Sequence, residues 1–186
     1  MLDLAAVPVW VWILLGTLLA VGVAGLVFWF AYGRQALARR YLVGLIGRRE
    51  SVCASRRTLE AIMRHLADES DEALAAFADD PTSEDRRSLA EVRAQMAVLA
   101  DELDTRPMPS RIVRVAEELA DAAFVIAEEA GRVRDEMDAA EVLAALAQVD
   151  LSRVAQQADE ADHYIDEASG EYGVEDTAVY GGGLYI

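Results

Sequence analysis

The sequence predicts an all-α protein: a single N-terminal transmembrane helix followed by an antiparallel three- or four-helix bundle with coiled-coil-like packing stripes. Residues 4–33 carry no charged side chain, apolar residues then recur at three- and four-residue steps, and residues 50–169 contain one glycine and three prolines. The segments we expect are a short extracytoplasmic N-terminus 1–8, a transmembrane helix 9–32, a basic juxtamembrane segment 33–49, an acidic helical bundle 50–169, and a flexible tail 170–186.

The uncharged N-terminal stretch exceeds the roughly 20 residues needed to cross a bilayer. It is too long for a cleavable signal peptide, and it begins beside Asp3 without a basic residue. Aromatic residues stand at both of its ends, and arginines follow it while none precedes it. The positive-inside rule then predicts a single-pass protein of the cell membrane with its N-terminus outside and its C-terminal domain cytoplasmic. The interfacial anchors we expect are Trp10, Trp12, Trp29, Tyr32, Arg34, Arg39 and Arg40.

Small residues recur along one face of the predicted transmembrane helix. Gly16, Ala20 and Ala24 are four residues apart, a spacing that lets two helices approach closely. This stripe would contact a second copy of the chain or another membrane protein. Small residues are also common in membrane helices that pack against nothing, so the pattern alone leaves both interpretations open.

Charge is distributed very unevenly. Residues 33–64 carry eight arginines and two glutamates, a balance of +6, whereas residues 65–186 carry nine arginines and 30 acidic residues, a balance of −21. So acidic a region repels nucleic acid, and we expect no nucleic-acid partner. The arginines of residues 36–49 would hold that segment against anionic headgroups, or the segment would continue the anchor as a straight helix. A bend would fall at Gly33, Gly44 or Gly47.

The first soluble helix begins near Val52 and should end at Asp79 and Asp80, because Pro81 disfavours helical geometry in the residue before it. A second helix should begin near Thr82. Its inner stripe is expected to consist of Leu89, Val92, Met96, Leu99 and Leu103.

A turn at Pro107 and Pro109 should precede a third helix with Ser110 as its N-cap. Asp138 and Glu141 form an acidic capping box, which predicts a break and a fourth helix from residue 139 to about 168. One unbroken helix from residue 110 to 165 is the alternative. The third helix is expected to bury one face made of Ile112, Val115, Leu119, Ala122, Ile126, Val133 and Met137.

The tail is rich in glycine but ends in apolar residues. Such a segment is either a frayed terminus or a docking peptide that adds to a sheet edge or enters a carboxylate-binding groove. The partner-docking residues would be Leu184, Tyr185 and Ile186.

No catalytic or cofactor pattern is present in the sequence. Glu160 and His163 make one Glu-x-x-His pair, but a di-metal bundle needs two such pairs, and Cys53 has no resolving cysteine. We therefore expect no enzyme activity, cofactor or metal. The sequence favours a prokaryotic membrane-anchored scaffold or adaptor that binds the lipid bilayer and protein partners, with self-association through the transmembrane helix as one option. The alternative is a small accessory subunit of a larger integral membrane complex of transporter or respiratory type.

Overall fold

The computed structural model describes residues 8–110, 112–134 and 136–174. Within these ranges all regular secondary structure is helical, and the predicted all-α class is confirmed. The six helices are α1 (Val9–Asp68), α2 (Asp71–Asp79), α3 (Glu84–Thr105), α4 (Val113–Ala130), α5 (Ala139–Leu146) and α6 (Leu151–Tyr172).

Helix α1 is unbroken over 60 residues, which corresponds to about 90 Å. It begins directly after Pro8, where a missing N–H costs nothing, and it is long and apolar enough near its N-terminus to cross a membrane. Of the two possibilities for the juxtamembrane segment, the structure has the straight continuation. Among the described side chains of α1, Ala38 is the first that is buried.

The second half of α1 packs against α3, α4 and α6, and α4 packs against α3 and α6, while the short helices α2 and α5 contact each other. Helices α1 and α6 run in opposite directions, since Arg39 bonds to Gly173 whereas the later Arg49 bonds to the earlier Asp162. The largest fully buried side chains include Leu42, Leu45, Leu59, Met96, Ile112, Leu119, Ile126 and Ile165.

The predicted α3 stripe is confirmed, because all five of its residues are buried. Helix α2 ends at Asp79, as the sequence predicts, and Asp80 adopts an extended conformation before Pro81. The prediction of a single helix from Val52 to this point was wrong. The chain breaks at Glu69, and the side chain of Ser70 starts α2 by accepting a hydrogen bond of 3.3 Å from the Ala73 amide.

Helix α4 differs from its prediction at both ends. It starts after Ile112 without a side-chain cap, so Ser110 does not act as the N-cap. It ends at Ala130, where the Gly131 amide donates to the Ala127 carbonyl at 2.9 Å. The predicted continuation through residue 137 was therefore wrong, and the partly buried Val133 and Met137 lie in the connection after the helix.

The capping box at Asp138 is confirmed, with the Glu141 amide 2.9 Å from the Asp138 carboxylate and the Asp138 amide 3.1 Å from the Glu141 carboxylate. The expected single helix from residue 139 to 168 is instead two helices. Residues 147–150 separate them, because the Asp150 carboxylate caps α6 by accepting from the amides of Ser152 and Arg153, both at 3.0 Å.

Helix α6 continues to Tyr172, so the first residues of the expected tail are helical. Gly173 ends the helix in the left-handed conformation with φ 59, and the Val174 amide bonds to the Ser169 carbonyl at 2.9 Å. The predicted docking residues of the tail, Leu184, Tyr185 and Ile186, lie outside the described residues. Residues 1–7 lie outside them as well.

Candidate membrane and partner interfaces

The first half of α1 is an exposed apolar surface. None of the side chains described between Trp10 and Tyr32 is buried, and Trp29 is 74% exposed. Soluble monomers rarely expose contiguous apolar patches larger than about a few hundred Å². A helix half with this surface therefore needs apolar surroundings that the described part of the chain does not provide.

Aromatic residues mark both ends of this surface. Between residues 10 and 29 the helix rises about 29 Å, close to the ~30 Å thickness of a bilayer's hydrocarbon core. At the second end, the rings of Phe28 and Tyr32 stack with their centroids 4.3 Å apart, and the Arg34 guanidinium lies 5.2 Å from the Phe30 ring. Two of the predicted anchors at this end, Tyr32 and Arg34, thus contact aromatic rings on the same helix.

The small-residue stripe is open. Gly16, Ala20 and Ala24 are exposed, and no atom lies within 4 Å of the position that a Cβ on Gly16 would occupy. The neighbouring Thr17 hydroxyl donates to the Ile13 carbonyl at 2.7 Å, which satisfies it within the helix. A second helix could approach this face without displacing any side chain.

The arginines of α1 differ in whether they contact α6. Arg39 donates to the Gly173 carbonyl at 2.9 Å and ties the end of α6 to α1, whereas Arg40 is exposed. Further along the helix, Arg49 contacts Asp162 and Asp166 on α6, each at 2.8 Å. Burial opposes the charged form of Arg49, but these ion pairs raise its pKa above the ordinary value.

Arg56 extends the same α1–α6 interface with ion pairs to Glu60 and Asp159, both at 2.7 Å. Hydrogen bonds from Arg56 to these two carboxylates raise its pKa. The basic block of the sequence is thus only partly available to lipid headgroups, because its distal arginines neutralise α6. The sequence carried no sign of this pairing, since the α6 partners lie more than 100 residues further along the chain.

Glu129 is a buried charge that the sequence pattern did not predict. Its side chain is 0% exposed and accepts hydrogen bonds from Arg132 at 2.5 and 2.9 Å, from the Asp150 amide at 3.0 Å and from Arg153 at 3.4 Å. Burial alone would raise the pKa of Glu129, but these donors and the two arginine charges lower it below its ordinary value. The cluster joins the end of α4 to the start of α6.

Arg86 is a second buried charge, 3% exposed, and it donates to the carbonyls of Ala78 at 3.1 Å and Arg134 at 2.7 Å. It thereby holds α2 and the connection after α4 against α3. The helical period could have located it, because Arg86 is three residues before Leu89 on the same stripe.

A hollow that we call the α3–α4 groove lies between these two helices and has a volume of about 550 Å³. Its apolar lining is alanine apart from Phe124, which is 58% exposed. Arg93 is the one basic residue in the lining. Four acidic residues surround the groove and make its rim negative: Asp101, Asp104, Asp121 and Glu128.

Within the described residues, no group of three or more potential ligands is placed to hold a metal ion. The Glu160 carboxylate of the Glu-x-x-His pair accepts a hydrogen bond of 3.1 Å from Gln156. The Cys53 thiol is half-buried, 4.0 Å from the Asp162 carboxylate. Burial, and then the charge of Asp162, raises the pKa of this thiol, so the protonated form is favoured.

Comparison of the chain with protein-family models, with curated proteins and with solved structures finds no match. Three surfaces are candidates for binding: the exposed half of α1, the α3–α4 groove and the arginines beside the apolar segment.

Proposed function

We propose that the chain is a single-pass protein of the cell membrane and that its cytoplasmic helices form an antiparallel bundle serving as a scaffold or adaptor for protein partners. One observation carries this proposal. The two halves of α1 belong to one unbroken helix, yet the first half is exposed and apolar while the second supplies core residues such as Leu42 and Leu59. A bilayer around the first half would cover its apolar side chains and leave the second half free to pack in the bundle.

The orientation follows from the charges next to the span. Arg34, Arg39 and Arg40 come directly after it, and cytoplasmic flanks are enriched in arginine and lysine. Ala38, the first buried residue among those described, lies about 9 Å along the helix from Tyr32. This short spacing supports a bundle held close to the membrane surface without a flexible linker.

The α3–α4 groove is the surface that we assign to a protein partner. Its alanine floor leaves room for a large apolar side chain, Phe124 provides an exposed aromatic contact, and its rim carries four acids against one arginine. The partner chemistry that fits is an amphipathic helix with basic residues beside its apolar face.

The anchor is tested by alkaline extraction of membranes and by cysteine labelling. In a Cys53→Ser background, Ala147→Cys at the end of α5 should be protected from an impermeant thiol reagent in intact cells, whereas Leu2→Cys should react. Reversed labelling would overturn the orientation. Release of the protein by alkaline extraction would overturn the anchor itself.

The partner surface is tested by the mass of the intact assembly after extraction in mild detergent. Phe124→Arg should release a bound partner, because it places a bulky cation in the groove. Leu143→Arg on α5, an exposed apolar position outside the groove lining, is the matched control and should retain the partner. The proposal fails if both variants retain it, or if the released protein has no basic amphipathic helix.

The accessory-subunit alternative is favoured by the open stripe at Gly16, Ala20 and Ala24. In that case Ala20→Leu should dissociate the assembly by separating close-packed helices, while Phe124→Arg should not. Leu15→Ile, another exposed position of the same helix half, is the control. An assembly that contains only copies of this chain would assign the stripe to a homo-oligomer.

A further inference from the structure

A second groove, which we call the membrane-proximal groove, lies where the α3–α4 connection meets α1. Its volume is about 350 Å³, and its wall on α1 includes Leu37, Arg40, Tyr41 and Arg48, with Arg106 and Met108 opposite. Residues 37 and 106 are far apart in sequence, which is why the sequence alone gave no sign of this site. Of the eight described lining residues, three are arginines, four are large apolar or aromatic residues and one is Gly44.

If residues 9–32 cross the membrane, the end of the groove at Leu37 lies beside the lipid headgroups. Leu37 is five residues beyond Tyr32, a rise of about 7.5 Å. The headgroup layer on each side of a bilayer is about 5 to 8 Å thick. Leu37 is 50% exposed and Arg40 is also exposed, so the groove opens at the end nearest the membrane.

The positive charge of this groove is only partly compensated. Arg48 pairs with Glu102 and donates to the Gly44 carbonyl at 3.3 Å, and Arg106 pairs with the same Glu102 at 3.0 Å. Arg40 makes no hydrogen bond or ion pair with any described residue. Three arginines against one carboxylate leave a balance of +2 beside an apolar surface.

We propose that the membrane-proximal groove binds one anionic glycerophospholipid from the leaflet that faces the bundle. Arg40 and Arg106 hold the phosphate, and Leu37 contacts the glycerol and upper acyl carbons. The phosphate takes over from Glu102 as the partner of Arg106 and joins α1 to the α3–α4 connection. This inference rests on the proposed membrane anchor, because only an anchored chain brings the groove to the headgroups.

The test measures which lipids the full-length protein retains after extraction from vesicles that mix phosphatidylcholine and phosphatidylglycerol. Native mass spectrometry should show one retained phosphatidylglycerol per chain. Arg40→Gln and Arg106→Gln should each lower its retention about fivefold, the ratio equivalent to about 1 kcal/mol per basic residue at an anionic surface. Glu102→Gln should raise retention, because it removes the competing carboxylate.

Arg57→Gln supplies the matched control. Arg57 is an exposed arginine on α1 outside the groove, and its substitution changes the net charge equally. If Arg57→Gln lowers retention as much as Arg40→Gln, binding is nonspecific attraction to the surface and the proposal is overturned. An unchanged retention in Arg40→Gln and Arg106→Gln overturns it as well.

Two further arms separate the ligand source and the anchor. Soluble glycerol phosphate should not displace the lipid at matched concentration, and displacement would reassign the groove to a free phosphate ester. Alkaline extraction of the same wild-type vesicles reports insertion independently. Protein that stays inserted but retains no phosphatidylglycerol contradicts only the groove, whereas protein that is extracted contradicts the anchor.

Discussion

The two halves of α1 share one backbone conformation and differ in almost everything else. Residues 10–32 bury no described side chain, while the half that follows contributes Leu42, Leu45 and Leu59 to the core. The first half has no charge, whereas eight arginines lie within residues 33–64. Helix continuity therefore depends on local hydrogen bonds and the absence of breakers, and the surroundings of each half depend on charge and on apolar spacing.

The packed region accepts buried charge where partners compensate it, as at Glu129 and Arg86, and the apolar half has none at all. In the packed region, the hydrogen bonds of a charged group offset its desolvation. In a bilayer, no such partners are available along an isolated helix. Placing the same charge in each of the two regions tests this difference.

The largest expected effect on thermal unfolding comes from an aspartate placed in the second half of α1. The same substitution in the first half is the comparison. Leu59→Asp places a carboxylate at a site that is 0% exposed, at a cost of several kcal/mol against a typical total stability of about 5–15 kcal/mol. Circular dichroism of the detergent-solubilised protein should lose its cooperative thermal transition. Leu18→Asp, at a site 68% exposed, should leave that transition unchanged but reduce insertion into membranes.

A reversed result, with Leu18→Asp abolishing the transition and Leu59→Asp sparing it, would show that the assignment of the two halves is wrong. Equal effects would mean that the first half also packs against protein.

Glu129→Gln sharpens the comparison by removing a compensated buried charge. Because the charged hydrogen bonds from Arg132 and the Asp150 amide are weakened, the free energy of unfolding should fall by about 1–3 kcal/mol. Glu128→Gln is the control on the adjacent residue, whose side chain is 42% exposed and pairs with Arg153 at 2.9 Å. It should cost less than about 1 kcal/mol.

The Glu129 effect should also depend on pH. Its pKa is lowered in the folded state, so its stabilisation is fully present above the unfolded pKa and is lost as the pH falls through the folded one. Wild type and Glu129→Gln should therefore differ most in unfolding free energy near neutral pH and converge in acid. A difference that grows on acidification would contradict the compensated-charge interpretation.

Local sequence signals predicted the parts of this fold that depend on neighbours in the chain. The α3 stripe, the end of α2 before Pro81 and the capping box at Asp138 all follow from residues within one or two helical turns. The break at Ser70 was missed although its signal was present, because a serine followed by Asp71 and Glu72 is a typical helix start.

The candidate sites could not be predicted in the same way because they assemble across long separations. Arg40 and Arg106 meet through the packing of α1 against α3, and Glu129 reaches the amide of Asp150, 21 positions later in the chain. Charge counts indicated that arginines follow the apolar segment. They could not separate Arg40, which has no described partner, from Arg49, which is paired on α6.

A smaller change in the free energy of unfolding is expected when glycines are replaced by alanine. Its sign should depend on whether other atoms lie close to the added Cβ. A Cβ on Gly131 would lie 2.9 Å from the Ala127 carbonyl oxygen and 3.2 Å from Arg93 Cδ, so Gly131→Ala should lower the free energy of unfolding by about 1 kcal/mol. Gly170, inside α6 with open space around it, should gain about 0.5–1 kcal/mol as alanine. Gly22→Ala in the apolar half should leave the transition unchanged.

Chemical denaturation in detergent measures these three variants under one condition. A stabilising Gly131→Ala would mean that the Arg93 side chain and the end of α4 adjust without strain. In that case the end of α4 at Ala130 depends on the Glu129 cluster rather than on the glycine.

The smallest expected effect concerns the ion pairs that the second half of α1 makes with α6. Arg49→Gln removes contacts to Asp162, whose side chain is 30% exposed, and to Asp166, and should cost about 0.5–1 kcal/mol. Arg56→Gln should cost less, about 0.2–0.5 kcal/mol, because its α6 partner Asp159 is 70% exposed and well hydrated. Added salt should reduce both differences through screening, and more so for Arg56. If neither substitution changes the unfolding free energy at low salt, the α1–α6 interface is held by its apolar contacts rather than by these two ion-pair clusters.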